Sequence, residues 1–156
     1  LARMLEAGED SRFIARRLVI LASEDIGMAD PQSLLIAEAG ARAVEFVGLP
    51  EAQLNLAQAV IHLATAPKSN RVTEAIFAAR AAAREAGAGE VPVHLRDAHY
   101  KGAASLGHGD GYRYPHDDER GWVEQDYLPE EVAGQVFYDP SPRGFESRIR
   151  DRWPFP

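Results

Sequence analysis

Apolar positions recur with the helical period of about 3.6 residues through the first part of the chain. From Asp10 to Gly27 they cover most of the helix circumference, which predicts a buried helix with Asp10 as its N-cap. Asp30 followed by Pro31 is a start signal for a second helix, because proline at the first helical position loses no hydrogen bond. The pattern ends that helix at Gly48.

Two further helices follow with the same period. Pro50 opens one of them, and its apolar stripe continues until Pro67. Ser69 is the predicted N-cap of the next helix, which runs to Gly87 with its small and apolar residues on one stripe. Since the connections are short, we expect consecutive helices to pack as near-antiparallel neighbours.

The composition changes after Gly89, where prolines and glycines become frequent and the helical period is lost. The pattern there predicts a brief helix over 97–106, a short strand or extended segment at 136–138, and a terminal helix over 144–153. Residues 112–129 have no periodic pattern and are expected to be irregular.

The predicted fold is therefore all-α, a helical bundle in a single domain over residues 1–156. Residues 1–90 are its expected helical core, and 91–156 an irregular proline- and glycine-rich wrap that ends in a helix. A long segment without secondary structure is unusual inside a compact domain. We therefore expect this segment to lie against the helices and to contribute packing surface.

Bulk properties exclude several classes of protein. The formal net charge is −7, which argues against a domain whose whole surface grips nucleic acid. There is no cysteine, so disulfides, zinc-thiolate sites and thiol catalysis are excluded. No apolar run is long enough to span a membrane. The chain begins at Leu1 within LARMLEAGE, which is typical of the end of a helix, and we expect a missing N-terminal part.

The stretch LGHGDGYRYPHDDERGW, residues 106–122, is the first candidate for chemistry because it combines glycines, histidines and acids. It lacks the preceding strand and the lysine of a phosphate-binding loop. The possible metal donors of this part of the chain also lack a ligand spacing; they are His94, His99, His108, His116, Asp117 and Asp118. We expect a structural loop in which Tyr112, Tyr114 and Trp122 are buried and Asp117 bonds loop backbone.

Two acidic residues near the end of the first predicted helix also need an explanation. Acids at a helix C-terminus oppose the macrodipole, so Glu24 and Asp25 are expected to have a fixed cationic partner. The candidates are Arg16, Arg17 and Arg42. Catalysis is the alternative, but consecutive helical side chains diverge by about 100° and do not face one substrate.

The turn APKSN, residues 66–70, joins the third and fourth predicted helices. Lys68 and Ser69 stand at a helix start, where free N–H groups can hold an anion. A plain turn with Ser69 as the N-cap is favoured over that interpretation. The remaining alternative is a packing or interdomain contact through Lys68 and Arg71.

Several motifs in one order point to a known family. SEDIGMADP, ATAPKSN and GYRYPHD are followed by QDYLP and FYDPSPRGFESRIRDR. Together they resemble the C-terminal region of the replication-associated recombination ATPases, the RarA/MgsA group with its Werner-helicase-interacting relatives. The resemblance covers nearly the whole chain. Residues 80–90 are unremarkable alanine-rich helix, and the final WPFP has no counterpart that we can align.

The resemblance implies an N-terminal AAA+ module that binds ATP and Mg and that this chain lacks. It also implies a cytoplasmic, nucleoid-associated protein that acts on DNA at stalled forks. The C-terminal region is similar to the clamp-loader collar and would hold the protein together as a homo-oligomer, most simply a tetramer. Other replication proteins are possible partners. No catalytic, cofactor or metal residue is assigned to this region.

Two function hypotheses of different class remain, with a small metal hydrolase as a weaker third. The first is an oligomerisation domain, whose possible interface or structural residues are Glu24, Asp25, Lys68, Ser69, Asn70, Tyr114, His116 and Asp117. The second is a DNA-contacting module that uses basic loops and the arginine-rich tail. Its possible contacts are Lys68, Arg71, Arg148, Arg150 and Arg152.

Overall fold

The computed structural model describes residues 1–85 and 89–152, and every regular element within them is helical. This confirms the all-α prediction. The α-helices are α1 (Ala2–Glu6), α2 (Ser11–Leu21), α3 (Gln32–Phe46), α4 (Ala52–Thr65), α5 (Arg71–Glu85) and α6 (Phe145–Arg152). Short 3-10 turns lie at Gly27–Ala29, Val93–Leu95, Ala103–Leu106, Pro115–Asp117 and Glu130–Val132. No described helix has the length and apolarity needed to cross a membrane.

The chain divides into two compact units. The first consists of Leu1–Phe77 together with Phe137–Pro156, and the second of Ala78–Val136. The chain therefore leaves the first unit within α5 and returns to it at Phe137. The terminal segment thus falls in one unit with the early helices, whereas the composition changes at residue 90. That residues 1–156 form a single domain stays a prediction.

The core of the first unit is built from α2, α3 and α4, and it is rich in small side chains. One buried cluster contains Ile14, Ala15, Val44, Ala52 and Leu56. A second contains Ala22, Ile26, Ala37 and Leu63. Because alanines line much of both clusters, the helices can approach closely.

The predicted helix starts agree with the structure. The Asp10 carboxylate accepts a hydrogen bond from the Arg12 backbone N–H at 2.9 Å. Asp30 accepts one from the Gln32 N–H at 3.3 Å. The Ser69 hydroxyl accepts one from the Arg71 N–H at 3.3 Å. Each side chain satisfies a backbone donor that the first turn of a helix leaves unpaired.

The end of the first long helix differs from the prediction. Instead of continuing regularly to Gly27, the chain widens after Leu21 into a π-helical turn over Ala22–Ile26. It then turns at Gly27, whose φ of 52° and ψ of −132° favour glycine. A Cβ at this position would lie 3.2 Å from the Ser69 carbonyl oxygen. The helix therefore ends at a glycine whose backbone lies close to that of the APKSN turn.

Helix α5 also differs from the expectation of antiparallel packing. It buries none of its residues, and Ile76 and Phe77 on it are exposed. The apolar stripe seen in its sequence is therefore not a stripe of core residues. The change of unit falls within α5, between Phe77 and Ala78.

The structure of the second unit differs from the prediction in its helix and in its buried residues. The helix predicted over 97–106 is only the 3-10 turn Ala103–Leu106, because Gly102 with its φ of 99° interrupts it. The buried side chains are the small ones, Ala103, Val123 and Val132. Tyr112, Tyr114 and Trp122 are exposed, so the prediction that these rings fill a core was wrong. In this loop the rings meet polar groups, as when the Arg120 guanidinium lies 5.7 Å from the Trp122 ring.

The C-terminal segment returns to the predicted pattern. Helix α6 (Phe145–Arg152) agrees with the helix expected over 144–153, while Trp153 lies outside the described residues. Residues 136–138 have no regular secondary structure, so no strand forms there. In the first unit α6 packs against the 3-10 turn Gly27–Ala29.

Candidate functional site

Three distant segments meet in the first unit. They are residues 23–29 after α2, residues 66–73 around the APKSN turn, and residues 137–146 before and within α6. The Asp25 carbonyl oxygen accepts a hydrogen bond from the Ser69 N–H at 2.8 Å. The Glu24 carbonyl oxygen accepts one from the Thr73 hydroxyl at 3.2 Å. We call this meeting point the tail junction.

Glu24 and Asp25 serve the tail junction through their backbone and not through their carboxylates. Both side chains are exposed. Among the described residues no ion pair includes either acid, so the predicted pairing with Arg16, Arg17 or Arg42 was wrong. The carbonyl groups of the π-helical turn accept hydrogen bonds from the Ser69 N–H of the APKSN turn and from the Thr73 hydroxyl of α5.

The polar side chains in and next to the APKSN turn have partners within the first unit. The Lys68 ammonium donates to the carbonyl oxygens of Leu63 and Ala66, each at 2.6 Å, and so closes the C-terminal end of α4. The Asn70 side chain donates to Glu74 at 3.0 Å. Arg71 pairs with Glu74 at 3.0 Å and with Asp139 at 3.8 Å. These contacts favour the plain-turn interpretation over an anion site.

Glu146 is the centre of the tail junction. Its side chain is fully buried, with a relative exposure of 0%. One carboxylate oxygen accepts from the Tyr138 hydroxyl at 2.9 Å and the other from the Ser141 N–H at 3.0 Å. The buried Ser69 and Ser141 hydroxyls also hydrogen bond the carboxylate. A buried carboxylate is therefore held by donors from both the tail and the APKSN turn.

These contacts govern the ionisation of the pair. Burial alone would raise the pKa of the Glu146 carboxyl, but hydrogen bonds from Ser141, Ser69 and Tyr138 outweigh it and leave that pKa below its usual value. Burial, together with the hydrogen bond to the carboxylate, raises the pKa of the Tyr138 phenol. At neutral pH the site is a carboxylate facing protonated donors, and it stabilises the tail in one position.

The backbone of the tail fits closely against the same segments. The Arg143 guanidinium donates to the Lys68 carbonyl oxygen at 3.0 Å. Gly144 has a φ of 52°, and a Cβ there would collide with the Ala29 carbonyl oxygen and with Pro67. Only glycine meets both conditions, since it tolerates positive φ and brings no Cβ.

A second polar contact of the first unit was not found in the sequence. The Asp30 carboxylate accepts from the Ser33 hydroxyl at 2.7 Å and lies 2.7 Å from His62 Nε2. Burial alone would raise the pKa of the Asp30 carboxyl. Hydrogen bonds from Ser33, His62 and Gln32 together outweigh burial, so the pKa lies below its usual value. The sequence pattern identified Asp30 only as a cap, because its partner His62 lies 32 positions away in the chain.

The glycine-rich loop 106–122 lies in the second unit and has a different character. The Asp118 carboxylate, not Asp117, bonds loop backbone, through the Arg120 N–H at 2.9 Å. Hydrogen bonds from Arg120 lower the pKa of Asp118 to about 2. The Tyr114 and His116 rings lie 5.1 Å apart, and both residues are near the surface. These residues form local contacts on an exposed loop.

The histidines of the second unit are separately engaged. His94 Nε2 lies 2.7 Å from the Asp126 carbonyl oxygen, and His108 Nδ1 lies 2.8 Å from the Tyr100 hydroxyl. His99 Nδ1 lies 2.9 Å from the Asp97 carboxylate. Within residues 1–85 and 89–152, no three histidine or acidic side chains come together in a group that could hold a metal ion.

Residues 1–155 match the family described as MgsA AAA+ ATPase C terminal. The chain belongs to this family. The resemblance seen in its motifs is thereby confirmed, and the tail junction and the glycine-rich loop are features of an MgsA C-terminal domain.

Individual relatives agree with the family. An uncharacterized AAA domain-containing protein of Mycobacterium tuberculosis is 59% identical over 152 residues, which is 97% of this chain and 34% of the relative. Replication-associated recombination protein A of Bacillus subtilis is 49% identical and covers 96% of this chain and 36% of its own length. ATPase WRNIP1 of Dictyostelium discoideum is 40% identical over 138 residues, 88% of this chain and 16% of its own length.

The chain thus spans about a third of the two bacterial relatives named here. It corresponds to the C-terminal domain of an AAA+ ATPase family, and the ATPase module lies in the rest of the full-length relatives. This confirms that the chain is not itself the catalytic module.

Proposed function

We propose that this MgsA C-terminal domain is the oligomerisation domain, most simply the tetramerisation domain, of an AAA+ ATPase that acts in DNA replication, recombination and repair. Relatives named Replication-associated recombination protein A support the process. The observation that supports the oligomeric role is an exposed apolar surface on the first unit. We expect the full-length protein to be cytoplasmic and to associate with the nucleoid.

That surface, the outer face, lies on α3 and α4. It consists of Leu35, Phe46, Leu54 and Ile61. Phe46 is 92% exposed and Leu54 is 71% exposed. In each helix the two residues share one face, because eleven and seven residues are close to whole numbers of helical turns. That face is opposite the buried one, whose positions are Ser33, Ala37, Gly40 and Val44 in α3 and Ala52, Leu56, Ala59 and Leu63 in α4. Large side chains so exposed on packed helices are typical of an interface with another protein surface.

The role of such an assembly would be geometric. In the full-length protein the ATPase modules would bind ATP and Mg, and the oligomer would fix how neighbouring modules meet. A symmetric assembly of identical chains reuses one patch on every subunit. The expected interface or structural residues Glu24, Asp25, Lys68, Ser69 and Asn70 act in the tail junction, whereas a role for them, or for Tyr114, His116 and Asp117, in subunit contact stays a prediction.

Light scattering coupled to size exclusion tests the proposal. At high concentration the 17.1 kDa chain should elute with a mass about four times that of the monomer. Replacing Leu54 and Ile61 together by glutamate should shift the mass to that of the monomer, because charge on a buried interface carries a large desolvation cost. Leu106→Glu is the matched control, since Leu106 is also exposed but belongs to the second unit.

A monomer for the unmodified chain at every concentration would contradict the proposal. An oligomer that survives the double substitution would leave the oligomeric role standing and reject the outer face as its interface. Circular dichroism of each variant separates loss of association from loss of folding.

The exposure of α6 favours a second candidate function, contact with DNA. Arg148, Arg150 and Arg152 are all exposed on this short helix. Lys68 and Arg71, the other candidate contacts, already hold the APKSN turn. Fluorescence anisotropy with a labelled fork at about 50 mM salt tests this function, and absence of binding would reject it.

A further inference from the structure

Helix α6 combines one buried carboxylate with three exposed arginines. Glu146 is fully buried in the tail junction, while Phe145 and Ile149 are half-buried on the same helix. Arg148, Arg150 and Arg152 are exposed. The same eight residues therefore attach the helix to the first unit and present three guanidinium groups to the surroundings.

We propose that Glu146 is a positioning residue that holds α6 in place, so that Arg148 and Arg152, one helical turn apart on the same face, form a fixed surface for the phosphate backbone of nucleic acid. Arg150 is also exposed but lies one turn from Glu146, on a different side of the helix. This inference rests on the second proposed function, DNA contact, and names the surface and its means of orientation. Glu146 itself does not touch the ligand, because it is buried.

The charge of the molecule makes orientation important. The whole chain carries a formal net charge of −7, so it does not attract a polyanion from every side. Binding would depend on one region where cations are concentrated and held toward the ligand. Guanidinium groups suit that ligand because they make planar, paired hydrogen bonds to phosphate oxygens.

The contacts of Glu146 and Arg143 reduce the conformational entropy that α6 would lose on binding a ligand. An eight-residue helix without tertiary contacts is not stable in water. The bonds from Tyr138 and Ser141 to Glu146, with the Arg143 bond to the Lys68 carbonyl, hold the segment before any ligand binds. Pre-organisation of this kind improves affinity because less conformational freedom is lost on binding.

The substitution Glu146→Gln distinguishes positioning from simple electrostatics by the direction of its effect. It removes a negative charge near three arginines, so electrostatics alone predicts tighter binding. If Glu146 positions α6, the substitution weakens binding. The carboxylate accepts from the Tyr138 hydroxyl and the Ser141 N–H on different oxygens, whereas the glutamine amide has only one oxygen. Asp151→Asn is the matched control: it removes an exposed charge from the same helix and should tighten binding slightly.

The experiment uses the 156-residue chain and labelled single-stranded and forked oligonucleotides, with anisotropy measured between about 50 and 200 mM salt. The triple change of Arg148, Arg150 and Arg152 to glutamine should lower affinity at least about tenfold and flatten the salt dependence. Glu146→Gln should lower affinity about threefold to tenfold. Tyr138→Phe, which removes one bond to the carboxylate, should act in the same direction but less.

The results distinguish failure of the positioning role of Glu146 from failure of DNA contact. If the unmodified chain does not bind, the second proposed function and this inference both fail. If it binds and the triple variant loses affinity, but both Glu146→Gln and Tyr138→Phe bind at least as well as the original, only the positioning role fails. If the triple variant binds normally, the function stands and α6 is the wrong surface. Circular dichroism shows whether each variant is folded. If Glu146→Gln does not fold, the affinity of Tyr138→Phe tests the positioning role in its place.

Discussion

The tail junction and the glycine-rich loop contain similar residue types but differ in how they are held. The loop places its histidines, acids and aromatic rings within residues 106–122, and these lie near the surface with local contacts. The tail junction joins residues far apart in the chain, such as Lys68 and Arg143 at 75 positions, and its central carboxylate is fully buried. The residues that cluster in sequence therefore form the loop with local contacts, whereas the closely held site is assembled from distant parts of the chain.

The reason is that a cluster in sequence costs nothing to form, whereas a cluster in space must be stabilised by the fold. An exposed polar loop keeps its hydrogen bonds to water in any arrangement. A buried carboxylate without donors costs several kcal/mol, so it occurs only where the fold supplies them. The buried polar residue is consequently the more informative sign of a specific arrangement.

The largest expected effect that tests this comparison comes from Glu146→Ala. The change leaves the buried Ser141 N–H and the half-buried Tyr138 hydroxyl without their acceptor, and each buried group so left costs about 1–3 kcal/mol. We expect the free energy of unfolding to fall by about 3 kcal/mol or more, measured by urea denaturation. The loop control Asp117→Ala should change it by about 0.5 kcal/mol or less. Equal effects for the two would contradict the distinction between the regions.

The sequence predicted the regular part of the first unit because its signals are local. Asp10, Asp30 and Ser69 cap helices within two residues of themselves, and short-range rules find such caps. Glu146 could not be found in this way. Its partners include Ser69, which lies far away in the chain, and within α6 the glutamate looks like an ordinary solvent-facing acid.

The same limit explains the errors. The partners of Glu24 and Asp25 were sought among charged side chains, whereas the π-helical turn uses their carbonyl groups. Aromatic rings in the loop were expected in a core because large apolar side chains usually are buried. Their hydroxyl and indole groups, together with neighbouring arginines, allow exposure instead. The family resemblance identified the domain but assigned none of these contacts.

The second prediction compares a glycine from each region. Both Gly144 and Gly111 have positive φ, at 52° and 78°, so alanine at either position carries a backbone cost of about 1–2 kcal/mol. Only Gly144 faces other atoms, the Ala29 carbonyl oxygen and Pro67, whereas nothing lies within 4 Å of a Cβ at Gly111. Gly144→Ala should therefore destabilise by about 1–2 kcal/mol more than Gly111→Ala in thermal or urea unfolding. Equal losses would show that the tail is not closely seated.

The third prediction concerns pH. The pKa of Glu146 is lower in the folded protein than the unfolded value of about 4.3. Its ionised form therefore stabilises the fold above that unfolded value, and the stabilisation is lost as pH falls through the folded pKa. The difference in unfolding free energy between the original chain and Glu146→Gln should be constant near neutrality and narrow below about pH 4. A difference that widens on acidification would mean that the carboxyl is protonated in the folded state.

The smallest effect is expected in the loop, from Tyr114→Ala. The Tyr114 side chain is 53% exposed and its ring contacts His116, so its removal deprives the protein of little buried surface. We expect a change in the free energy of unfolding of about 0.5 kcal/mol or less. A loss above about 2 kcal/mol would show that a further surface covers this ring in solution. Repeating the measurement over a range of protein concentrations would tell whether that surface is another copy of the chain, because only then would the loss depend on concentration.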